Sequence, residues 1–422
     1  MIRPPFHPSR RHVVWGLAAA ATLQPFRQGQ AAGEPFAITI KEGAGAAIFD
    51  PALPSRFRLG DQLRLSVTSA LATPIAFSVR GLDGVRPLEP LFGRPLLEPG
   101  MTSAIDVPLA QAGTFLLDAR LLGDGLLKPL PVAAFAVAET APPQADQDHL
   151  LLVEDARSLA DGTAIGPGRD AGEAQAVYTV NGQKTFGLEL RTNERLRLRL
   201  INGCQRNAIA LQFDDHDIRI IAVDSRPAEP FIARDRRIVL APGGRIDAML
   251  DAIGQAGSTS SVRLFDGAGP KIIGQLTYGA AAPMRPEPLP PPGPLPDAAA
   301  RLDLTGAFRA PIDFGASAWL RPQDLVGVSR SPLFRVRRGR TVLLTLTNRT
   351  ATPSTLHLHG HHVRWLDRLD DGWKPFLPDT LLVGAGQTER IAFVAQYPGD
   401  WLIESAAMDW SASRRVLWFA VD

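Results

Sequence analysis

Apolar and polar residues alternate along much of this chain. Leu63, Leu65 and Val67 recur every second residue, as do Leu196, Leu198 and Leu200 with arginines between them. Successive side chains of a strand point to opposite faces, so each run predicts a half-buried β-strand. Few stretches carry the 3.6-residue period of a helix. Short runs separated by Gly- and Pro-containing turns at roughly 8–12-residue spacing predict antiparallel Greek-key sandwiches or barrels, an all-β fold.

Three phrases recur in a fixed order. The first is Gly60-Asp61-Gln62-Leu63-Arg64-Leu65, then Asn193-Glu194-Arg195-Leu196-Arg197-Leu198, then Gly339-Arg340-Thr341-Val342-Leu343-Leu344. The second appears as Pro99-Gly100, Pro242-Gly243-Gly244-Arg245 and Ala385-Gly386-Gln387-Thr388. The third appears as Ala112-Gly113-Thr114-Phe115, Ala256-Gly257-Ser258 and Pro398-Gly399-Asp400-Trp401. The intervals are far too long for solenoid units and suit whole domains. Three consecutive domains are expected at 35–140, 145–282 and 299–422. Between the last two, Met284 to Pro296 holds seven prolines, which predicts a stiff extended linker over 283–298.

Composition narrows the function classes. The 422 residues are 45% hydrophobic, with 45 basic and 43 acidic side chains, enough to bury several cores. A formal net charge of +2 leaves no electrostatic footprint for nucleic acid. Arg3, Ser9, Arg10 and Arg11 precede an apolar run from Val13 to Leu23, and Ala31 and Ala32 follow before Gly33. That is the layout of a cleaved export signal over 1–32, with Arg10-Arg11 resembling a twin-arginine signal; the competing reading is a soluble basic tail or a membrane anchor. The run is about half the ~20 residues needed to span a bilayer, and no other stretch looks apolar enough to cross, so no transmembrane segment is expected after signal removal.

Cys204 is the sole cysteine, which excludes an intramolecular disulfide and makes a small buried apolar role the default. His361, His362 and Trp365 read as strand residues flanking the core. Asp367 to Gly372 reads as turn chemistry, and His216, between Asp214-Asp215 and Asp217, as a solvated hairpin residue. Neither a Gly-rich phosphate loop nor a Gly-x-Ser-x-Gly motif is present, so a hydrolase has no support.

Leu356-His357-Leu358-His359-Gly360-His361, followed by Asp379-Thr380 and Pro398-Gly399-Asp400-Trp401, resembles the last domain of multicopper oxidases. Asn181-Gly182-Gln183, Arg197 to Asn202 and Ala241 to Asp247 resemble their middle domain, and Gln111 to Phe115 more weakly their first. The resemblance implies three cupredoxin-like Greek-key β-sandwich domains. It also implies a type 1 copper held by two histidines and a cysteine thiolate, and a three-copper cluster held by eight histidines.

Mapped residue by residue, the type 1 cysteine falls on Ser405, and its two histidines on Ser354 and Trp410. The first domain has no histidine; its two pairs of cluster ligands fall on Ser78 and Arg80, and on Asp118 and Arg120. In the last domain His357 and His359 remain, while Glu404 and Ala406 fall on the other pair. Two ligands of the cluster's eight survive, and with Ser405, Ser354 and Trp410 in place of its three ligands no type 1 copper is expected. The family's ligand grouping puts Arg80 with Asp118 at one former copper position, and Arg120 with His359 and Glu404 at the other. Two buried arginine–carboxylate pairs are therefore expected to join the first and last domains.

Those losses imply no cofactor. The remaining metal reading is a single copper or zinc ion at His357 and His359, with His361 extending the set and Asp118 and Glu404 completing it. A scaffold with an export signal and without copper ligands resembles the periplasmic, non-catalytic cell-division proteins descended from multicopper oxidases. That resemblance implies a periplasmic protein partner. The alternatives are a copper-binding oxidoreductase of the family and a mononuclear metal-binding protein.

Overall fold

The alternating runs become strands that pair the same way three times over. The computed structural model describes residues 34–295, 302–327, 331–366 and 374–422. The predicted export signal at 1–32, the Asp367–Gly372 turn and the linker's last residues lie outside them.

Each recurring phrase is a turn and the strand it launches. Gly60, Asn193 and Gly339 have φ of 91°, 63° and 81°, the left-handed region that glycine enters freely and asparagine tolerates best among other residues. The strands that follow are Gln62–Ser69, Arg195–Asn202 and Thr341–Thr347. Each pairs in parallel with the opening strand of its own unit, Phe36–Glu42, Gln147–Ser158 or Phe308–Asp313. On its other side each pairs antiparallel with the strand of the second phrase, Thr102–Pro108, Arg245–Asp251 or Thr388–Val394.

A second sheet closes each unit. In the first unit it runs Arg56–Arg58, Val132–Ala138, Gly113–Asp118, Ser78–Arg80. In the last it runs Arg335–Val336, Arg415–Val421, Gly399–Ala407, Ser354–Leu358, Thr380–Val383. The result is three consecutive β-sandwiches, each with its own core. Ile38, Leu63, Leu65 and Phe115 centre the first core, Leu196, Leu198, Phe213 and Leu264 the second, and Leu344, Leu356, Trp401 and Phe419 the third.

Arg195–Asn202 departs from the half-buried expectation, being buried on both faces. Its leucines fill the middle core; Arg197 and Arg199 are buried against the first sandwich, and Arg195 under the Pro-rich stretch. Arg197 bonds Glu139 at 2.6 and 2.8 Å and Asp247 at 2.6 Å. Arg199 bonds Asp148 at 2.8 and 2.9 Å and the Thr114 hydroxyl at 3.0 Å. Apolar contact supplements the charges, with Leu116, Val132 and Ala134 against Leu152 and Ile201.

The Pro-rich stretch forms neither helix nor strand over its described length and is tied to the middle sandwich. Arg285 pairs with Asp146 at 2.5 Å, and Arg195 donates to the Leu289 carbonyl at 3.0 Å. Among the described residues no helix is long and apolar enough to cross a membrane.

Candidate functional site

The first and last sandwiches meet where Ser78–Arg80 and Gly113–Asp118 face Ser354–Leu358 and Gly399–Ala407. Cross-strand pairing sets most of the positions: Ser78 lies opposite Asp118, and His357 opposite Glu404. At the centre of this junction Arg80, Asp118, Arg120, His359, Glu404 and Arg414 are buried and partnered.

Arg80 lies between two carboxylates. Its Nε donates to Asp118 Oδ2 at 2.7 Å, and one Nη donates to both Glu404 oxygens at 2.9 and 3.1 Å. Arg120 forks onto Asp118 at 2.7 and 2.8 Å and turns its other Nη to the carbonyls of Gly203 and Cys204 at 2.9 and 2.8 Å. Arg414 closes the far side of Glu404. His359 lies between Glu89, 3.2 Å from Nδ1, and Glu404, 3.3 Å from Nε2.

The charges stabilise one another against burial. Desolvation alone would raise the Asp118 carboxyl, but Arg120 and then Arg80 hold it well below the usual carboxylate range. Glu404 is held down against burial by Arg80, Arg414 and His359. Burial opposes the His359 imidazolium, but Glu89 and Glu404 outweigh it and push the ring up to about 9. His357 goes the other way, down to about 4, through burial and the nearby Arg80 charge. Its Nδ1 faces the Asp379 carbonyl and the Thr380 hydroxyl, both at 3.1 Å, leaving the ring neutral. A cavity of about 20 Å³ adjoins Ser78, Glu89, His357 and His359, room for about one water.

The pairing differs from the expected one. Arg80 does meet Asp118, but Glu404 takes Arg80, Arg414 and His359 rather than Arg120. Arg120 stands two residues after Asp118 on the short turn Arg120–Leu122, so its fork closes locally, and its remaining donors are used by the middle sandwich. Two buried pairs become a network spanning all three sandwiches.

A second ionic group adjoins it. Arg245 bonds Asp379 at 2.6 Å, and Asp224 accepts the backbone N–H groups of Arg245, Asp379 and Thr380 at 2.8 to 3.1 Å. His362 Nδ1 is 2.6 Å from Asp83, and Nε2 is 2.5 Å from the Asp224 carbonyl. Both partners only accept, so the ring satisfies them only as an imidazolium. Asp83 raises it against the opposing effect of burial.

His361 does not extend the His357/His359 pair. The strand ends at Leu358, and Gly360 at φ 67° turns the chain, swinging His361 into the last core against Phe393, Tyr397, Trp401 and Phe419. Burial lowers it to about 4. His362, expected to flank the core, instead joins the ionic group. His216 is not solvated; its Nε2 is 2.6 Å from the Tyr278 hydroxyl, and the ring is 2% exposed. Cys204 is fully buried.

The remaining predicted positions carry no charge. Ser354 and Ser405 are buried, with hydroxyls that have no hydrogen-bond partner. Ala406 is buried, and Trp410 donates to the Gly166 carbonyl of the middle sandwich at 3.0 Å. Asp118 and Glu404, expected to complete a metal site, are saturated by guanidinium groups. Among the described residues no three His, Cys, Asp or Glu side chains converge as a metal site would require. The sequence reading missed Glu89, Asp83 and Arg414, which sit in turns or at a strand entry with no periodicity to mark them.

Comparison with known proteins was made against this geometry. Two family models, both described as multicopper oxidase, match residues 140–261 and 296–422, together more than half of the chain. Multicopper oxidase MmcO of Mycobacterium tuberculosis is 23% identical, over 92% of this chain and 84% of that protein. Among solved structures, a multi-copper oxidase from Pseudomonas thermotolerans superposes with a TM-score of 0.76 at 23% identity, covering 92% of this chain and 99% of the other. Lac15 from a marine microbial metagenome gives 0.74 at 23% identity, covering 92% and 100%.

Proposed function

The chain belongs to the multicopper oxidase family, and we propose that it works there without copper, as a non-catalytic binding protein of the periplasm. The observation that carries this reading is the Arg80 guanidinium lying between Asp118 and Glu404. By the family's motif these three positions belong to ligands of the three-copper cluster. A permanent cation there, with Arg120 and Arg414 behind it, opposes a bound metal ion electrostatically and takes up the oxygens that might ligate one.

The type 1 positions support the same reading. Ser354, Ser405 and Trp410 offer two hydroxyls and an indole already bonded to Gly166, which do not suit a copper that requires imidazole and thiolate. A single copper or zinc ion at His357 and His359 fits poorly too, because both nitrogens of His359 face carboxylates and Arg80 disfavours charge beside His357. The twin-arginine-like signal supports export, and the kind of role proposed is that of the cell-division or envelope-stress binding proteins the sequence resembles.

The test is elemental analysis and a visible spectrum of protein exported to the periplasm, purified without chelator and offered excess copper. The expected result is no blue absorption and no stoichiometric metal. One bound metal without blue colour would move the site to His357 and His359; several coppers per chain would return the oxidase reading.

A further inference from the structure

Among the described residues, two sheet edges with no further strand border one apolar groove at the junction of the middle and last sandwiches. Arg237–Leu240 ends one middle sheet, and Thr380–Val383 ends a sheet of the last sandwich. Both line a cavity of about 360 Å³, with Ile220, Phe231, Trp365 and Phe376 among its other walls. Phe231 stacks on Phe376 at 5.9 Å, and Trp365 meets Phe376 edge-on at 6.3 Å.

Ladder alternation shows which backbone groups are free. Asp214 bonds Ser261 across one side of strand Ile209–Phe213, so the groups of Ile209 and Leu211 turn to the other side and take Leu240 and Ile238. Val239 therefore points its N–H and C=O outward from the sheet. The Leu358 to Asp379 bond fixes the opposite edge in the same way, leaving those groups of Leu382 outward. Val239 is 61% exposed, a large apolar side chain left on a sheet edge.

We propose that this groove binds an extended peptide by strand addition, with the peptide pairing to the Val239 edge and its apolar side chains entering between Phe231, Trp365, Phe376 and Leu382. Charge selects the peptide further. At the groove's end the turn carries Arg234 and Arg236 and the strand opens on Arg237; Asp217 pairs with Arg236 at 3.0 Å, and the Arg234 side chain, 3.8 Å from Asp235, is 96% exposed. The complement is a partner segment of alternating apolar residues with an acidic end. The proposal deepens the binding-protein reading and rests on it.

The probe is a short fluorescein-labelled peptide of alternating valine and threonine ending in two aspartates, titrated against the full chain by fluorescence anisotropy. A control peptide carries proline at its centre. Wild type is expected to bind the first and not the second. Val239→Pro removes only an outward N–H from an edge strand and is expected to weaken binding by about tenfold. Arg234→Glu is expected to weaken it and flatten its salt dependence.

Should Val239→Pro fail to fold, slowed amide exchange at Val239 in the peptide-bound wild type supplies the same evidence. Equal binding of both peptides, unchanged affinity in Val239→Pro, or loss in Leu382→Pro alone would overturn the assignment. So would a dimer broken by Val239→Pro, which would give the groove to a second copy. Metal content is read on the same samples: a copper-loaded chain that binds the peptide refutes the copper-free reading and keeps the groove, whereas a copper-free chain that binds neither peptide does the reverse.

Discussion

Replacing Glu404 by glutamine keeps the shape of the side chain and removes the charge that Arg80, Arg414 and His359 share. Breaking a buried ion pair by removing one partner costs about 3–5 kcal/mol. Here Arg80 retains Asp118 and His359 retains Glu89, while Arg414 keeps only the more distant charges of Asp124 and Asp118, so the lower end, about 3 kcal/mol, is expected. The change also has a pH signature. The His359 ring binds its proton more tightly folded, at about 9, than unfolded, at the ordinary 6.5. Its contribution is therefore complete below about pH 6.5 and lost as pH climbs through about 9, worth up to about 3 kcal/mol. Without Glu404 the ring keeps one carboxylate, and this alkaline loss shrinks. Urea unfolding followed by tryptophan fluorescence at pH 7 and pH 9.5 reads both effects. Coincident midpoints at pH 7, or a variant that keeps the full alkaline loss, would refute the assignment of Glu404 as the shared anion.

Two further substitutions probe the last sandwich. His361→Leu removes a neutral ring whose Nε2 has no partner but whose Nδ1 bonds the His359 carbonyl at 3.2 Å, so a loss of about 1–2 kcal/mol at pH 7 is expected. Because the folded ring sits near 4 and the unfolded ring at 6.5, wild type loses stability as pH falls through that window and the variant loses less; urea midpoints at pH 5 check the sign. Gly360→Ala puts a Cβ 2.2 Å from the Trp401 ring at a φ of 67°, and Trp401 is itself fixed in the core. A loss of about 2 kcal/mol or more is expected in the same unfolding assay.

What the sequence made legible was whatever has a period or a required backbone. The three turn phrases announced the strands they launch because left-handed turns need glycine or asparagine, and the leucine alternation marked the core faces. The buried arginines of Arg195–Asn202 looked like a solvent face, since an alternating pattern does not reveal that a neighbouring sandwich covers it. Arg80, Asp118 and Glu404 were located through the family's motif, and so was the Arg80–Asp118 pair, but the guanidinium partners of Glu404 were not. Pairing depends on side-chain reach, which gave Arg120 to its near neighbour Asp118 and brought in Arg414 from outside any motif. The core reading suits His361, whereas the metal reading misplaced it, because its alternation continued on paper past the point where Gly360 turns the chain.

A buried ion pair is a weak source of stability, since well-packed apolar residues of the same volume often do as well or better. Its stronger effect is on alternatives. Asp118 and Arg80 belong to the first sandwich, Glu404, Arg414 and His359 to the last, and Arg120 is anchored to carbonyls of the middle one. A small slide of any sandwich would strand several charges in an apolar interface at once, each costing several kcal/mol. The apolar contacts between sandwiches, such as Leu121 and Leu122 against Leu402 and Val416, are far more tolerant of such a slide. The ionic centre is therefore expected to act as a registry device that fixes how the sandwiches sit together. The groove between Val239 and Leu382 is formed by two different sandwiches, so its width depends on that registry. Loosening the centre through Glu404 should then change the groove's affinity for a peptide even though no residue of the centre lines it.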